Sequence, residues 1–536
     1  MGIKARIPVA VLIVLLLVIS HLGCRDNGSS IAQDEKKIPR TITVKENRFV
    51  DNYGRQVILN GINIVNKNKD EGYIIQSGPE LYENMAKWGV NCIRFGIIWD
   101  RLEPEPGVYD EEYLKEIDQR IALAEKNNLF VVLDMHQDLF SVKYADGAPA
   151  WATLDKGKTH TTGDIWSDAY ILSEAVQTSF DNFWWNRPAS DGIGLQDHYA
   201  ALWQHIAKRY VDNSTVIGYD IMNEPFPGSV APAYMNALLM AYGELNYSLT
   251  GDVWDAERLA AMWGDSKRRI ETLEVISNTA NYHFVISRLT ELNKEFESTY
   301  LQAMYQKVAL AIREVDRKHI LFLEHSYFGN MGVGSGIERV SLPDGTPDPF
   351  VAYGAHGYDL VTDTEAVAEA SNERLAYIYD QINKKGQQLK MPVWLGEWGA
   401  FYGNSTTVVP IAKNSVHLIE KHLFGNAYWS YTPGTENLEY FKQTLVRVYP
   451  AYVNGELIGY GNDFDSHQFG MRWKEDRKNN YPTMVFVPNL SKLNREALIG
   501  WGNFEIEKIN YSDAGWLILP PVKGGGERNL TLFMDQ

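Results

Sequence analysis

Residues 216–225 read Val-Ile-Gly-Tyr-Asp-Ile-Met-Asn-Glu-Pro. A short apolar, partly β-branched run ends in a polar pair, Asn223 and Glu224, and a proline stops it. Runs of roughly four to eight apolar residues bounded by turn signals read as buried strands. Proline has no N–H to continue a ladder, so the strand closes before Pro225. The same layout recurs at 391–399, Met-Pro-Val-Trp-Leu-Gly-Glu-Trp-Gly, where the run ends at Glu397.

Six further runs of this kind stand at 57–65, 91–98, 129–135, 320–324, 350–356 and 426–431, beside the two at 216–222 and 391–396. Amphipathic helical patterns fit between most of them, for example at 79–87, 111–127, 301–315 and 372–385. Strands alternating with helices eight times over predict a (β/α)8 TIM barrel. An open doubly wound sheet is the rival, but it carries a glycine-rich loop after its first strand, and none follows 57–65. Two connections exceed what a plain barrel needs: 137–199 after the third strand, and 226–289 after the fourth, with a helical run at 256–273. Both leave the C-terminal ends of strands, where barrels build their sites. Beyond 431 short runs at 443–449, 468–473, 483–487, 504–509, 516–519 and 530–533 alternate with turn residues. They predict a small antiparallel β-sandwich over 438–536, following a barrel over 41–435.

The formal charge of -17 excludes a nucleic-acid partner and electrostatic docking on anionic lipid, both of which need a basic face. The 15 Trp and 30 Tyr supply flat faces that suit sugar rings, although a large core uses the same residues. Lys4 and Arg6 precede an apolar run over 7–19, the layout of a signal peptide over 1–23. The run falls short of the roughly 20 residues that span a membrane. Leu22-Gly23-Cys24 resembles the end of a bacterial lipobox, with His21 as a departure. That resemblance implies an exported protein tethered through a lipidated Cys24 and a polar linker over 24–40; cleavage into a secreted form and an uncleaved anchor are the alternatives. Cys24 and Cys92 are the only cysteines, so a lipidated Cys24 leaves no internal disulfide.

Strands four and seven face each other across a barrel mouth, so Glu224 and Glu397 can do so too. Two carboxyl groups across a cleft are the apparatus of glycoside hydrolysis. One protonates the departing oxygen while the other attacks the anomeric carbon, with roughly 5–5.5 Å between them for retention and a wider gap for inversion. The acid must stay protonated near neutral pH, which the charge of a neighbouring carboxylate favours.

Asn-Glu-Pro after strand four and a glutamate after strand seven resemble the retaining (β/α)8 glycosidases, in particular glycoside hydrolase family 5. The resemblance implies that Glu224 is the acid/base and Glu397 the nucleophile. It places Arg94, at the end of strand two, beside the nucleophile, and His136 in the sugar site. Asn223 would donate to the sugar 2-OH, His356 and Tyr358 would position the nucleophile or acid, and Trp429 would stack on the sugar. Any one of these alone is weak, because a tripeptide recurs by chance and a lone Trp or His is more often packed core.

Finer runs resemble endoglycoceramidases, which cleave between glycan and ceramide: 133–138 (Leu-Asp-Met-His-Gln-Asp), 183–186 (Phe-Trp-Trp-Asn), 218–226, and 446–450 (Val-Arg-Val-Tyr-Pro). By this resemblance Asp138 bonds the sugar, as does a lysine after strand one, either Lys67 or Lys69. A ceramide needs an apolar groove. The 226–289 excursion offers Met235, Leu238, Leu239, Met240, Tyr242 and Met262, which equally suit the buried faces of surface helices. The alternatives are a family 5 enzyme on another β-glycoside (a cellulase- or mannanase-like glycanase, or a glucosylceramide or steryl β-glucosidase) and, remotely, a non-catalytic carbohydrate-binding lipoprotein. No HExxH run or Cys/His cluster with ligand spacing occurs, so no metal or cofactor is expected.

Overall fold

The computed structural model describes residues 38–535 apart from 265, 363–364, 402–405, 496–497 and 499–502. The expected leader, Cys24 and most of the linker lie outside the described residues. Three short strands come first: β1 (Ile42–Lys45), β2 (Arg48–Asp51) and β3 (Gln56–Val57). Eight more follow: β4 (Asn60–Ile64), β5 (Cys92–Ile98), β6 (Phe130–His136), β7 (Val216–Asp220), β8 (Ile320–Leu323), β9 (Val351–His356), β10 (Val393–Gly399) and β11 (Gly425–Trp429). These eight close into a parallel barrel in the order β10-β11-β4-β5-β6-β7-β8-β9. Every residue of β4 to β9 is buried, which is why the strands read as unbroken runs rather than alternating ones.

Helices cover the barrel. The one over Glu111–Lys126 starts where the Asp110 side chain accepts from the amides of Glu112 and Tyr113. It buries Tyr113, Leu114, Ile117, Ile121 and Ala124 at helical spacing. Inside the barrel the Trp394 indole fills space that a side chain on β4 would need: a Cβ on Gly61 would stand 2.9 Å from it and 2.8 Å from the Asn426 carbonyl.

Seven strands complete the chain: β12 (Tyr449–Val453), β13 (Glu456–Asp463), β14 (Gln468–Glu475), β15 (Thr483–Val487), β16 (Glu505–Lys508), β17 (Gly515–Leu519) and β18 (Gly526–Phe533). They form the expected antiparallel sandwich, with one sheet of β13-β14-β18 and a larger one ordered β1-β2-β3-β12-β15-β17-β16. Leu457, Phe469, Met471 and Trp473 of the small sheet share one core with Met484, Val485, Leu517 and Leu519 of the large one.

Three expectations change here. The strand expected at 57–65 is two elements: Val57 pairs with Tyr452 in the sandwich, and the barrel strand begins at Asn60. With β1 and β2, residues 42–57 therefore belong to the sandwich sheet rather than to the barrel unit. The reason is an apolar floor: Phe49 stacks on Phe322 of β8 at 6.2 Å and lies against the start of β11. The strand expected at 443–449 is a π-helical turn over Phe441–Leu445 followed by β12. Its buried residues Phe441, Thr444 and Leu445 have helical, not alternating, spacing. A buried pair locks barrel to sandwich, where Glu420, on the helix Val408–His422, accepts from Arg447 Nε at 2.9 Å and from Asn462 N and Nδ2 at 2.9 and 2.7 Å.

The two excursions differ. The first contributes the helices Asp168–Leu172 and Glu174–Trp184. The second forms Ala231–Thr250, Ala256–Gly264, Ser266–Val275 and Thr279–Ile286, so the single run expected at 256–273 is two helices.

Candidate active site

Arg94 lies in the middle of β5, not at its end, and points into the barrel, fully buried. Its Nη1 donates to Glu397 Oε1 at 2.8 Å and to Asn63 Oδ1 at 3.1 Å. Its Nη2 donates to Asn223 Oδ1 and Glu324 Oε1, both at 2.9 Å, and its Nε to Asp220 Oδ2 at 2.8 Å. Asp134 Oδ1 lies 2.9 Å from Nη2. One guanidinium thus gathers four carboxyl groups from four barrel strands, and bidentate-capable Arg suits this where Lys would not.

Glu224 follows β7 with φ of 44°, a left-handed backbone that L-residues adopt at a cost of about 1–3 kcal/mol. The surroundings hold it there: its amide donates to Glu324 Oε2 at 2.8 Å, and Gln137 Nε2 donates to the carbonyls of Asn223 and Glu224. Its Oε1 accepts from Asn330 Nδ2 at 2.6 Å and lies 3.0 Å from His356 Nδ1. Across the mouth Glu397 sits where β10 slips register against both neighbours, and the slip re-aims the side chain inward. Its Oε2 accepts from Tyr358 at 2.8 Å. An oxygen of Glu224 and one of Glu397 lie within 4.8 Å of each other, with a nitrogen of His356 inside the same sphere.

A cavity of about 450 Å³ opens above the pair. Lys67, His136, Asp138, Asn223 and Trp429 line its polar end. Lys67 is ion-paired with Asp138 and stands 4.7 Å over the Trp429 ring, on which His136 stacks at 5.2 Å. Lys69 instead pairs with Asp100 at 2.7 Å, so Lys67 is the lysine at the cavity. Ile165, Trp166, Tyr327, Met331 and Leu360 line an apolar side, with Trp166 44% exposed at the rim. Eight of the ten expected site residues therefore line one space, and Arg94 and His356 stand behind it, against Glu397 and Glu224. The six apolar residues of the 226–289 excursion do not line it: Tyr242 and Met262 are buried in the core and Met240 is on the outer surface.

Sequence patterns leave out Glu324, Asn330, Asp134, Asp220, Asn63 and the apolar wall. Asp220 closes a buried strand, Glu324 follows one and Asp134 lies inside one, and a carboxylate within or just after such an apolar run is the signal that could have found them. Asn330 sits in the 3-10 turn Tyr327–Met331, which no periodicity marks.

The electrostatics follow from crowding. Five carboxyl groups (Asp134, Asp220, Glu224, Glu324 and Glu397) face two cations, Arg94 and His356. Burial pushes Glu397 up to about 7, against the pull of His356 and Arg94, and the charge of Glu224 adds to the rise. Burial likewise pushes Asp134 and Asp220 up to about 6 despite Arg94. Burial opposes a charged His356, but Glu324 and Glu397 outweigh it and hold the imidazole well above its usual range. His136 is the reverse: burial, aided by the nearby charge of Lys67, keeps it neutral, with Nδ1 2.8 Å from Asp134.

A closed parallel barrel with two such carboxyl groups facing across its mouth defines a (β/α)8 glycoside hydrolase. The chain belongs to glycosyl hydrolase family 5: residues 50–435 match the family model described as cellulase (glycosyl hydrolase family 5), and 447–514 match the glycoside hydrolase family 5 C-terminal domain. It is 30% identical over 239 residues to a protein named endoglycoceramidase from Cyanea nozakii, over 39% of this chain and 46% of that protein. It is 22% identical over 464 residues to endoglycoceramidase I of Rhodococcus hoagii, over 84% of this chain and 80% of that protein. The chain thus spans just under half the length of the first relative and four fifths of the second. The structure of endo-glycoceramidase II from Rhodococcus sp. in complex with ganglioside GM3 superposes with a TM-score of 0.67 at 23% identity, over 92% of this chain and 100% of that one, a likeness of fold.

Proposed function

We propose that this family 5 enzyme is a retaining β-glycosidase that cleaves glycosphingolipids between glycan and ceramide, with Glu224 as acid/base and Glu397 as nucleophile. The observation that carries the pair is the approach of an oxygen of each to within 4.8 Å, which accords with the close spacing, roughly 5–5.5 Å, of a retaining pair. In the first step a Glu397 oxygen bonds to the anomeric carbon as the bond to the ceramide oxygen breaks, and that oxygen takes the Glu224 proton. In the second, water gives a proton to Glu224 and its oxygen displaces Glu397 from the anomeric carbon, freeing the glycan. Arg94 and Tyr358 donate to the two oxygens of Glu397 and favour its anionic form as nucleophile and as leaving group. Lys67, His136, Asp138, Asn223 and Trp429 form the sugar-binding end.

For the aglycone, Ile165, Trp166, Tyr327, Met331 and Leu360 offer an apolar wall suited to an alkyl chain, and the relatives named endoglycoceramidase support the same reading. The test is incubation with gangliosides, glucosylceramide, galactosylceramide and soluble cello-oligosaccharides. Release of an intact oligosaccharide together with ceramide is expected. Turnover of soluble oligosaccharides alone would overturn the ceramide assignment, and release of single glucose units from glucosylceramide alone would reassign the enzyme as a β-glucosidase. Export with a lipid tether on Cys24 belongs to the same proposal, because it would hold the enzyme beside lipid substrates; absence of a lipid-modified N-terminal peptide in mass spectra of membrane fractions would remove it.

A further inference from the structure

Glu324 is fully buried, touches neither Glu397 nor the cavity, and yet reaches Glu224 by two routes. Its Oε2 accepts the Glu224 amide at 2.8 Å. Its Oε1 accepts from Arg94 at 2.9 Å and lies 3.1 Å from His356 Nε2, while Nδ1 of that imidazole is 3.0 Å from Glu224 Oε1. We propose that Glu324 is a positioning residue for Glu224, pinning its left-handed main chain through the amide and setting the charge beside its carboxyl through His356.

The donors decide the geometry. Arg94 and the Glu224 amide can only donate, one to each oxygen of Glu324, so this group must offer an acceptor on both sides. A glutamine there would turn an N–H toward one of them. Burial pushes Glu324 well above the usual carboxylate range while His356 and Arg94 pull it back, and the same 3.1 Å contact at Nε2 raises His356, so that Nδ1–H points at Glu224 Oε1, which Asn330 also donates to. With Oε1 held by two protein donors, Oε2 is the oxygen left to exchange a proton with the leaving group and with water. The groups facing this chain are Arg94 from β5, Asp134 from β6, Asp220 from β7, His325 after β8, Tyr358 after β9 and Glu397 from β10. His325 accepts from the His356 amide at 3.2 Å and is kept neutral by burial, so it adds no competing charge.

The inference rests on Glu224 being the acid/base, and the test separates the two. Glu324→Gln, checked for folding by circular dichroism, is assayed on two aryl β-glycosides of one glycan, with phenol and 2,4-dinitrophenol as leaving groups. Phenol needs the proton from Glu224 and dinitrophenol does not. Glu324→Gln lowers kcat/KM on the phenyl glycoside about tenfold or more and on the dinitrophenyl glycoside by less than about threefold. The basic limb of kcat/KM also moves, because Glu324→Gln replaces the carboxyl group facing His356 Nε2 and so changes the charge that His356 Nδ1 presents to the acid/base. Equal losses on both substrates, or an unmoved basic limb, would show that Glu324 merely balances Arg94 and would overturn the proposal. Glu224→Gln run alongside must show the same leaving-group dependence more strongly; if it shows none, the acid/base assignment itself fails and takes the inference with it. Should Glu324→Gln not fold, Glu324→Asp, which loses the reach to the amide, is judged by the same two-substrate ratio.

Discussion

Replacing Glu397 by Gln tests the site through stability and through turnover in one variant. Burial sets the carboxyl at about 7 in the folded protein against a usual 4.5. Between those values the folded protein keeps a proton that the unfolded chain has lost, so raising the pH favours unfolding across that window. From 4.5 and about 7, the penalty amounts to about 1 kcal/mol at pH 5 and about 3 kcal/mol at pH 8. Gln carries no charge at either pH and escapes the penalty, while its lost hydrogen bonds to Arg94 and Tyr358 cost the same at both. The stability of the variant relative to the unaltered protein therefore rises by about 2 kcal/mol between pH 5 and pH 8. Differential scanning calorimetry at the two pH values reads this as a difference of a few degrees in the Tm gap. An identical gap at both would refute the picture of a carboxyl held protonated by burial. In the same variant turnover falls by several orders of magnitude with the fold intact, and near-normal turnover would sink the nucleophile assignment.

Tyr358→Phe removes a 2.8 Å donor from Glu397 and lowers kcat/KM by about 10- to 100-fold, measurable by steady-state kinetics with little change in melting temperature. Trp429→Ala removes the ring at the sugar end and raises KM about tenfold while changing kcat less, which a kinetic split on the best glycolipid substrate checks. Glu420→Ala leaves Arg447 buried without its partner between barrel and sandwich and destabilises by about 3–5 kcal/mol in urea unfolding, without a leaving-group-dependent effect on activity. Above pH 6.5 the protein loses stability as pH rises, since His356 and, up to about 7, Glu397 hold protons that the unfolded chain gives up, whereas Asp134 and Asp220 act lower, between 3.8 and about 6; below 6.5 the buried neutral His136 and His325 oppose this by losing stability as the pH falls. A flat melting profile from pH 6.5 to 8.5 would contradict it.

The barrel was legible because each of its strands is buried on both faces and writes an unbroken apolar run, and because a side chain at a strand end must face the mouth. Asn223, Glu224 and Glu397 announce themselves by that rule. The rule fails where burial follows another period or partner. The turn over Phe441–Leu445 buries residues at helical spacing inside a run that looks extended. Strands β1 to β3 join a sheet whose other members lie some 400 residues on, and no local pattern records such a pairing.

The sequence by itself determined the eight-strand alternation, the two strand-end glutamates and the class of chemistry they serve, because hydrophobic period and strand-end position are local properties of the chain. Only the tertiary structure decided which lysine faces the cavity, which loops wall it, and that Glu324 stands behind Glu224. Those are matters of long-range approach. Lys67 and Lys69 differ by which of Asp138 and Asp100 each can reach. The apolar wall comes from the loops after strands three, five and six rather than from the Met-rich excursion after strand four, since burial in the core had already claimed Tyr242 and Met262. The environment of each carboxyl group, set by how many charges the barrel crowds around one arginine, exists only once the strands have closed.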